Sequence, residues 1–502
     1  MLAGVGVFAG AALLTFFLTA DIFHPSLDEG IYLEGAHRVL RGEAPYRDFF
    51  AYTGPLIYWL QAALEAVFGA NLRFLRLSTA VAMGLTAAGI YWMALRSLGW
   101  RFALALPPLF VCLRLPSIQH FTISHRWLST SLMTVGIALA VEAARSPRNR
   151  RLWFAAGVVL AGAAWATPTD IVLLGWLGLA MAFTPSLRTG LIAMMAGVVV
   201  VSIPAAGWLA AHGALVPMIV KLGWAGSRYS IANKLPYGYY PFAFASARGL
   251  TSWLVALRPL LPAVLIPVTL GLGEFELFRR RWALPETLLL WLAFGMFLTT
   301  WPRWDVNLLI GVMPPFLVLL AIWANQHLTD RARPAAFATG LVLQLGATSL
   351  SLFFLVWTVF VIGAYSYFPT RVGLLRNSAA DGEAMQVLEN TIPAGSSVYV
   401  YPYMPVLGFM LRAENPTTYS YMQPGMMSID DETVVLGELR AHPPEFVLRQ
   451  YLPDEQVLQV WPGSDRTAMR FPAIEAFLDS RYTETGRAKS DHFSITILRR
   501  RS

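Results

Sequence analysis

Long stretches without a charged residue recur along the chain, separated by short polar connections. Leu2–Ala20 is the first and is long enough to cross a bilayer. Similar runs follow at Leu77–Leu95, Phe102–Leu113, Trp127–Val141, Leu152–Ala166 and Ile171–Phe183. Others lie at Leu191–Ala211, Pro259–Gly273, Leu288–Thr300, Val306–Ala324 and Ala335–Ala364. The pattern predicts an all-α polytopic membrane domain with about eleven transmembrane helices. Several runs fall short of the ~20 residues a span usually takes, and short or proline-broken segments line cavities more often than they face lipid. The first run has no basic leader, so it is read as a retained anchor rather than a cleaved signal.

After Tyr365 the pattern changes. β-rich runs at Ser397–Tyr401, Val457–Trp461 and Phe493–Leu498 alternate with helix-like stretches at Asp381–Asn390, Glu432–His442 and Pro472–Tyr482. The alternation predicts a small α/β domain of about 130 residues, so the chain divides at 1–365 and 366–502. No internal repeat marks the inverted halves of many transporters.

Composition sharpens this picture. Of 502 residues, 56% are hydrophobic and 14% charged. A soluble globular chain carries about 25% charged residues, and a disordered one few apolar ones. Both classes are excluded. The net charge of +8 has a topological use. Arg96, Arg101, Arg145, Arg148, Arg150, Arg151, Arg188, Arg279–Arg281, Arg331 and Arg333 fall on alternate connections. By the positive-inside rule that side is the cytoplasm. The first outer loop (21–76) and the C-terminal domain then lie outside the cytoplasmic (inner) membrane. The single cysteine, Cys112, allows neither an intramolecular disulfide nor a zinc or iron–sulfur cluster.

The polar residues concentrate in that first loop, beginning at Asp21. Ser26 and Glu29 have the spacing of a capping box, and Gly42 and Pro45 are stop signals, which predicts a surface helix over Leu27–Arg41. Asp28 and Glu29 also suit the positive end of such a helix without any chemistry. A second, aromatic helix is expected over Leu56–Phe68, with Tyr46, Tyr52, Tyr58 and Trp59 at headgroup level. Arg303 stands where a span meets the outer surface. It could grip a phosphate bidentately or simply pair with Asp305. Lys221, Arg228 and Lys234 share a long outer loop with Tyr229, Tyr237, Tyr239 and Tyr240, a set suited to a sugar phosphate or to plain solvation. His120 and His125 flank another outer connection, and their spacing is weak evidence for a metal. No phosphate-cradling glycine loop, nucleophile elbow or zinc motif occurs, so a nucleotide-sugar donor is not supported.

One string of residues resembles a known family. Asp28-Glu29 just after the first span, Tyr32, then Gly-x-x-Pro-Tyr-x-Asp over Gly42–Asp48, then Gly54-Pro55-Leu56 and the arginines Arg73 and Arg76 are similar to the GT-C superfamily of membrane glycosyltransferases. The similarity lies with the branch of protein O-mannosyltransferases and aminoarabinose transferases. It implies transfer of a sugar from a polyprenyl phosphate to an acceptor hydroxyl outside the membrane, with inversion. The acceptor could be a glycan, a lipid or a protein; no nucleic acid is implied. It further implies that Asp28 is the catalytic base, with Glu29 and Asp48 supporting it. Arg303, Lys221, Arg228 and Lys234 would hold the donor phosphate, and Tyr32, Tyr46, His125 and Asp305 would line the substrate cavity. Some members use a divalent metal and others none; Asp28, Asp48 and Asp170 could give it oxygen ligands. Thr53-Gly54-Pro55 departs from the lysine and paired prolines of the aminoarabinose enzymes, which counts against that donor and a lipid A acceptor. In the C-terminal domain Tyr401-Pro402-Tyr403 and Tyr419–Tyr421 offer rings that could stack on sugar. The main rival is a lipid-linked glycan flippase or transporter, which should carry ionisable groups at mid-span. A scaffold or receptor with an outer binding domain is the other.

Overall fold

The computed structural model describes residues 2–25, 27–240, 249–279, 282–329 and 333–501. Ser26, Arg280, Arg281 and Arg331, used in the sequence reading, lie outside them.

Among the described residues seven helices are long and apolar enough to cross a membrane: Leu2–Thr19, Leu72–Ala103, His125–Arg145, Arg188–Ala211, Gly249–Phe278, Val306–His327 and Leu341–Gly363. The chain is a multi-pass membrane protein. The remaining predicted spans are helices too, but shorter: Leu106–Arg114, Arg150–Ala166, Ile171–Phe183 and Leu284–Leu298. Leu106–Arg114 has only 9 residues, because prolines at 107 and 108 suit a helix start and Pro116 follows its end.

Two ends of the bundle differ in chemistry. The Leu77–Ala103 helix begins at Arg76, beside Glu29. At its far end Arg96 approaches Glu142, while Ser97 meets both Arg145 and Glu286. Those arginine-rich connections therefore gather at the end opposite the first loop.

The first loop forms the two expected helices, Leu27–Leu40 and Leu56–Phe68. Their rings interlock: Tyr58 packs edge-on against Tyr32 and Phe49 at 5.6 and 5.5 Å. Two glycines permit close approach. A Cβ on Gly54 would sit 1.9 Å from the Trp165 carbonyl oxygen, and one on Gly30 would sit 2.1 Å from the Val406 nitrogen. Gly30 thus seats the Val406–Met410 helix directly on the first surface helix.

The C-terminal part holds a hairpin, Ser366–Thr370 with Gly373–Asn377, and a four-stranded sheet. Strand order in the sheet is Val398–Tyr401, Phe446–Gln450, Ser494–Arg500, Tyr482–Lys489, with only the first pair parallel. Helices Ala379–Thr391, Ile429–Ala441 and Pro472–Arg481 match the expected ones. Val457–Trp461 does not form a strand. It lies in and just after the helix Asp454–Val460, where Pro453 provides the cap position and Asp454 and Glu455 favour the first turn. The C-terminal part is stitched to the first loop. Arg376 donates to Asp21 at 2.8 Å, Asn415 to Glu34 at 2.8 Å, and Arg38 to the Thr417 carbonyl at 2.8 Å.

Candidate active site

Where the first surface helix, the start of the His125–Arg145 helix, the outer loop after residue 212 and the C-terminal part meet, a polar cavity of about 240 Å³ opens. Asp28 lies on its wall and is partly exposed to it. Among the described residues no hydrogen bond engages the Asp28 carboxylate. Burial pushes its pKa above the ordinary 3.8, while the guanidiniums of Arg303 and Arg126 pull the other way. A carboxylate left unpaired yet faced by two cations is primed to take a proton without being locked in an ion pair.

Arg303 enters from a short strand, Arg303–Asp305, that pairs with Leu235–Tyr239. Its Nε donates to Asp305 at 2.5 Å and one terminal nitrogen donates to Asn233 at 3.1 Å. Asp305 is fully buried and also accepts from the Leu308 amide at 3.0 Å. Asp305 therefore orients Arg303 and does not line the cavity itself. Arg126 opens the next helix, with its backbone amide bound to the Ser124 hydroxyl at 3.2 Å. Asp170, fully buried, lies within electrostatic reach of it.

The other anticipated residues divide. His125 lines the cavity, and its Nδ1 shares a 2.5 Å hydrogen bond with the Tyr32 hydroxyl. Tyr32 itself is buried behind it. Tyr46 is also buried; at φ 69° it turns the loop, and its hydroxyl donates to the Thr53 carbonyl at 2.5 Å. Glu29 faces away from Asp28. It accepts two bonds from Arg76, at 2.8 and 2.6 Å, and one from the Ile123 amide at 3.0 Å. Asp48 is occupied by the Arg47 guanidinium and the Ala44 amide. Lys221 lies over the rings of Phe50 and Tyr419, 5.1 and 5.6 Å from their centroids. Arg228 and Lys234 are exposed, and neither these nor Lys221 lines the cavity. Among the described residues no three His, Cys, Asp or Glu side chains converge.

Arg126 is absent from the sequence reading, as are Asn233 and Gln423. A signal for Arg126 existed: a lone arginine at the outer end of a span runs against the positive-inside rule. Asn233 and Gln423 gave none, since a single amide in a loop has no pattern.

The cavity does not stand alone. A second hollow of about 260 Å³ shares Tyr52, His125, Arg126 and Tyr229 with it. That hollow shares Pro168 and Leu222 with an apolar groove of about 460 Å³. Trp165, Leu174, Met194 and Met218 line the groove. Polar, mixed and apolar spaces thus follow one another along one face.

The whole arrangement is similar to solved membrane proteins. ArnT from Cupriavidus metallidurans, crystallised with undecaprenyl phosphate, matches over 98% of this chain and 97% of its own, with a TM-score of 0.59 and 14% identity. The archaeal oligosaccharyltransferase AglB from Archaeoglobus fulgidus, in complex with an inhibitory peptide and a dolichol-phosphate, matches over 89% of this chain and 69% of its own, with a TM-score of 0.53 and 11% identity. The chain has the GT-C fold. No protein-family model and no curated protein matches the sequence. At such identities the GT-C likeness speaks for architecture, and any chemistry must be argued from the site.

Proposed function

We propose that this chain is an integral membrane glycosyltransferase. It moves a sugar from a polyprenyl-phosphate donor to an acceptor hydroxyl on the outer side of the cytoplasmic membrane. The observation that carries this reading is the unpaired Asp28 carboxylate in a polar cavity beside Arg126 and Arg303, with an apolar groove leading away. An amphiphile with an anionic head fits that sequence of spaces. Two of the structural neighbours, one of ArnT and one of AglB, were solved with undecaprenyl phosphate and with a dolichol-phosphate.

In this reading Asp28 takes the proton from the acceptor hydroxyl as its oxygen attacks the anomeric carbon. The bond between that carbon and the phosphate oxygen breaks, and the anomeric centre inverts. Polyprenyl phosphate leaves with the electron pair, its charge met by Arg126 and Arg303. Asp305 and Asn233 hold Arg303 in place, and Glu29 positions the helix that carries Asp28. Asp48 and Tyr46 shape the loop. The arginine-rich connections at the opposite end support an outer-side site by the positive-inside rule.

The test is transfer of a labelled sugar from undecaprenyl phosphate by purified wild type and Asp28→Asn. Wild-type transfer that the variant loses supports the reading. Equal transfer by both removes Asp28 from the mechanism, and no transfer from any lipid donor favours a flippase.

A further inference from the structure

One wall of the cavity comes from the C-terminal part, and its chemistry differs from the rest. Tyr403, Gln423 and Trp461 line it. The rings of Tyr403 and Trp461 meet edge to face, with centroids 5.1 Å apart and planes at 82°. Tyr421 braces Tyr403 from behind, edge-on at 5.8 Å. Two faces at a right angle give a sugar ring an apolar corner for its C–H groups.

Gln423 sits beside that corner and is 3% exposed. The Tyr403 hydroxyl donates to its Oε1 at 3.5 Å. Among the described residues its Nε2 has no hydrogen-bond partner. A buried N–H donor without an acceptor carries an uncompensated desolvation cost, so the group awaits one. The backbone there is held: the Gln423 carbonyl accepts from the amides of Met426 and Met427 at 3.2 and 3.1 Å. Asn233, another amide lining the cavity, is already committed through both ends, to Arg303 and to the Tyr229 carbonyl.

The charge of the cavity completes the argument. Among the described residues that line it, Asp28 is the one carboxylate and Arg126 and Arg303 are cations. A sugar carrying an ammonium group would be desolvated beside two guanidiniums, and the one carboxylate of the wall that could pair with it already faces them. An uncharged sugar meets no such penalty and offers a hydroxyl oxygen to Nε2 of Gln423.

We propose that Tyr403, Gln423 and Trp461 form the subsite for the donor's sugar ring, and that this subsite selects an uncharged sugar over one bearing an ammonium group. The inference rests on the lipid-phosphate donor reading above. It separates the sugar from its carrier: the phosphate belongs to the membrane part and the ring to the C-terminal part.

The experiment uses the purified full chain and three probes: undecaprenyl phosphate, the same lipid bearing mannose or glucose, and the same lipid bearing 4-amino-4-deoxyarabinose. Wild type should bind a neutral glycolipid about tenfold more tightly than the amino one. Gln423→Ala and Trp461→Ala should each weaken neutral-glycolipid binding about five- to tenfold and leave bare undecaprenyl phosphate unchanged. Trp461→Phe should restore most of the loss. Equal weakening for bare lipid and glycolipid would mean that the variants disturb structure, and overturns the subsite. Equal wild-type affinity for the amino and neutral glycolipids overturns the selectivity. Failure of wild type to bind any of the three lipids sinks the donor reading, and this inference with it.

Discussion

Arg76 grips both carboxylate oxygens of Glu29, at 2.8 and 2.6 Å, immediately beside Asp28 in the sequence. Both partners are fully buried. The same guanidinium also donates to the Ile22 carbonyl. The start of the second span is thereby clamped to the helix that presents Asp28.

Removing one partner of such a pair strands a buried charge, which costs about 3–5 kcal/mol. Glu29→Ala and Arg76→Ala should therefore lower the thermal unfolding midpoint markedly, and Glu29→Gln less. Unchanged unfolding with lost transfer would instead make Glu29 a participant in the chemistry.

Asp28 should behave in the opposite way. Its folded pKa is raised by burial, so above the unfolded value the ionised group costs stability, and the cost is complete above the folded pKa. Asp28→Asn removes that cost. At neutral pH the variant should unfold no earlier than wild type, while transfer falls about 10²–10⁴-fold. A variant that loses both stability and transfer would point to a structural carboxylate.

The same shift fixes a pH dependence. The base must be ionised, so transfer is lost as pH falls through the raised pKa. The acid limb of kcat/KM should have its midpoint above the about 4 of a free aspartate, provided the protein stays folded there. A limb at or below that value contradicts the buried setting.

Arg126→Ala and Arg303→Ala should each weaken undecaprenyl phosphate binding about tenfold or more, as expected for a charge-assisted contact. Lys221→Ala should change it little, because Lys221 lies over Phe50 and Tyr419 outside the cavity. A dominant effect at Lys221 would relocate the phosphate.

Gly30→Ala would put a methyl group 2.1 Å from the Val406 backbone nitrogen. Such overpacking costs about 1–3 kcal/mol. It should expose the junction between the first surface helix and the C-terminal part to proteolysis. Unaltered protease resistance would show that the junction yields freely.

The surface helices were legible because their signals are local: a stop at Gly42, and an apolar face over Leu56–Phe68. The strand Phe446–Gln450 was not, for its burial depends on partners fifty residues away on either side in sequence. Val457–Trp461 misled because a short apolar run fits either period, and Pro453 with two acids decided for helix. Asp28 could be read from a motif. Arg303 could be read from its place at the outer end of a span, whereas Arg126, Asn233 and Gln423 join the two only in three dimensions. Lys221, Arg228 and Lys234 share an outer loop with four tyrosines in sequence, yet none of the three lines the cavity.

The cavity draws on residues from Asp28 to Trp461. A ribosome that has delivered the first spans has thus made the proposed base but not the ring corner that would hold the sugar. During biogenesis the half-built pocket lacks one side, so its chemistry waits for the last stretch of translation. A chain stalled before residue 403 would carry Asp28 but lack Tyr403, Gln423 and Trp461, and with them one wall of the cavity.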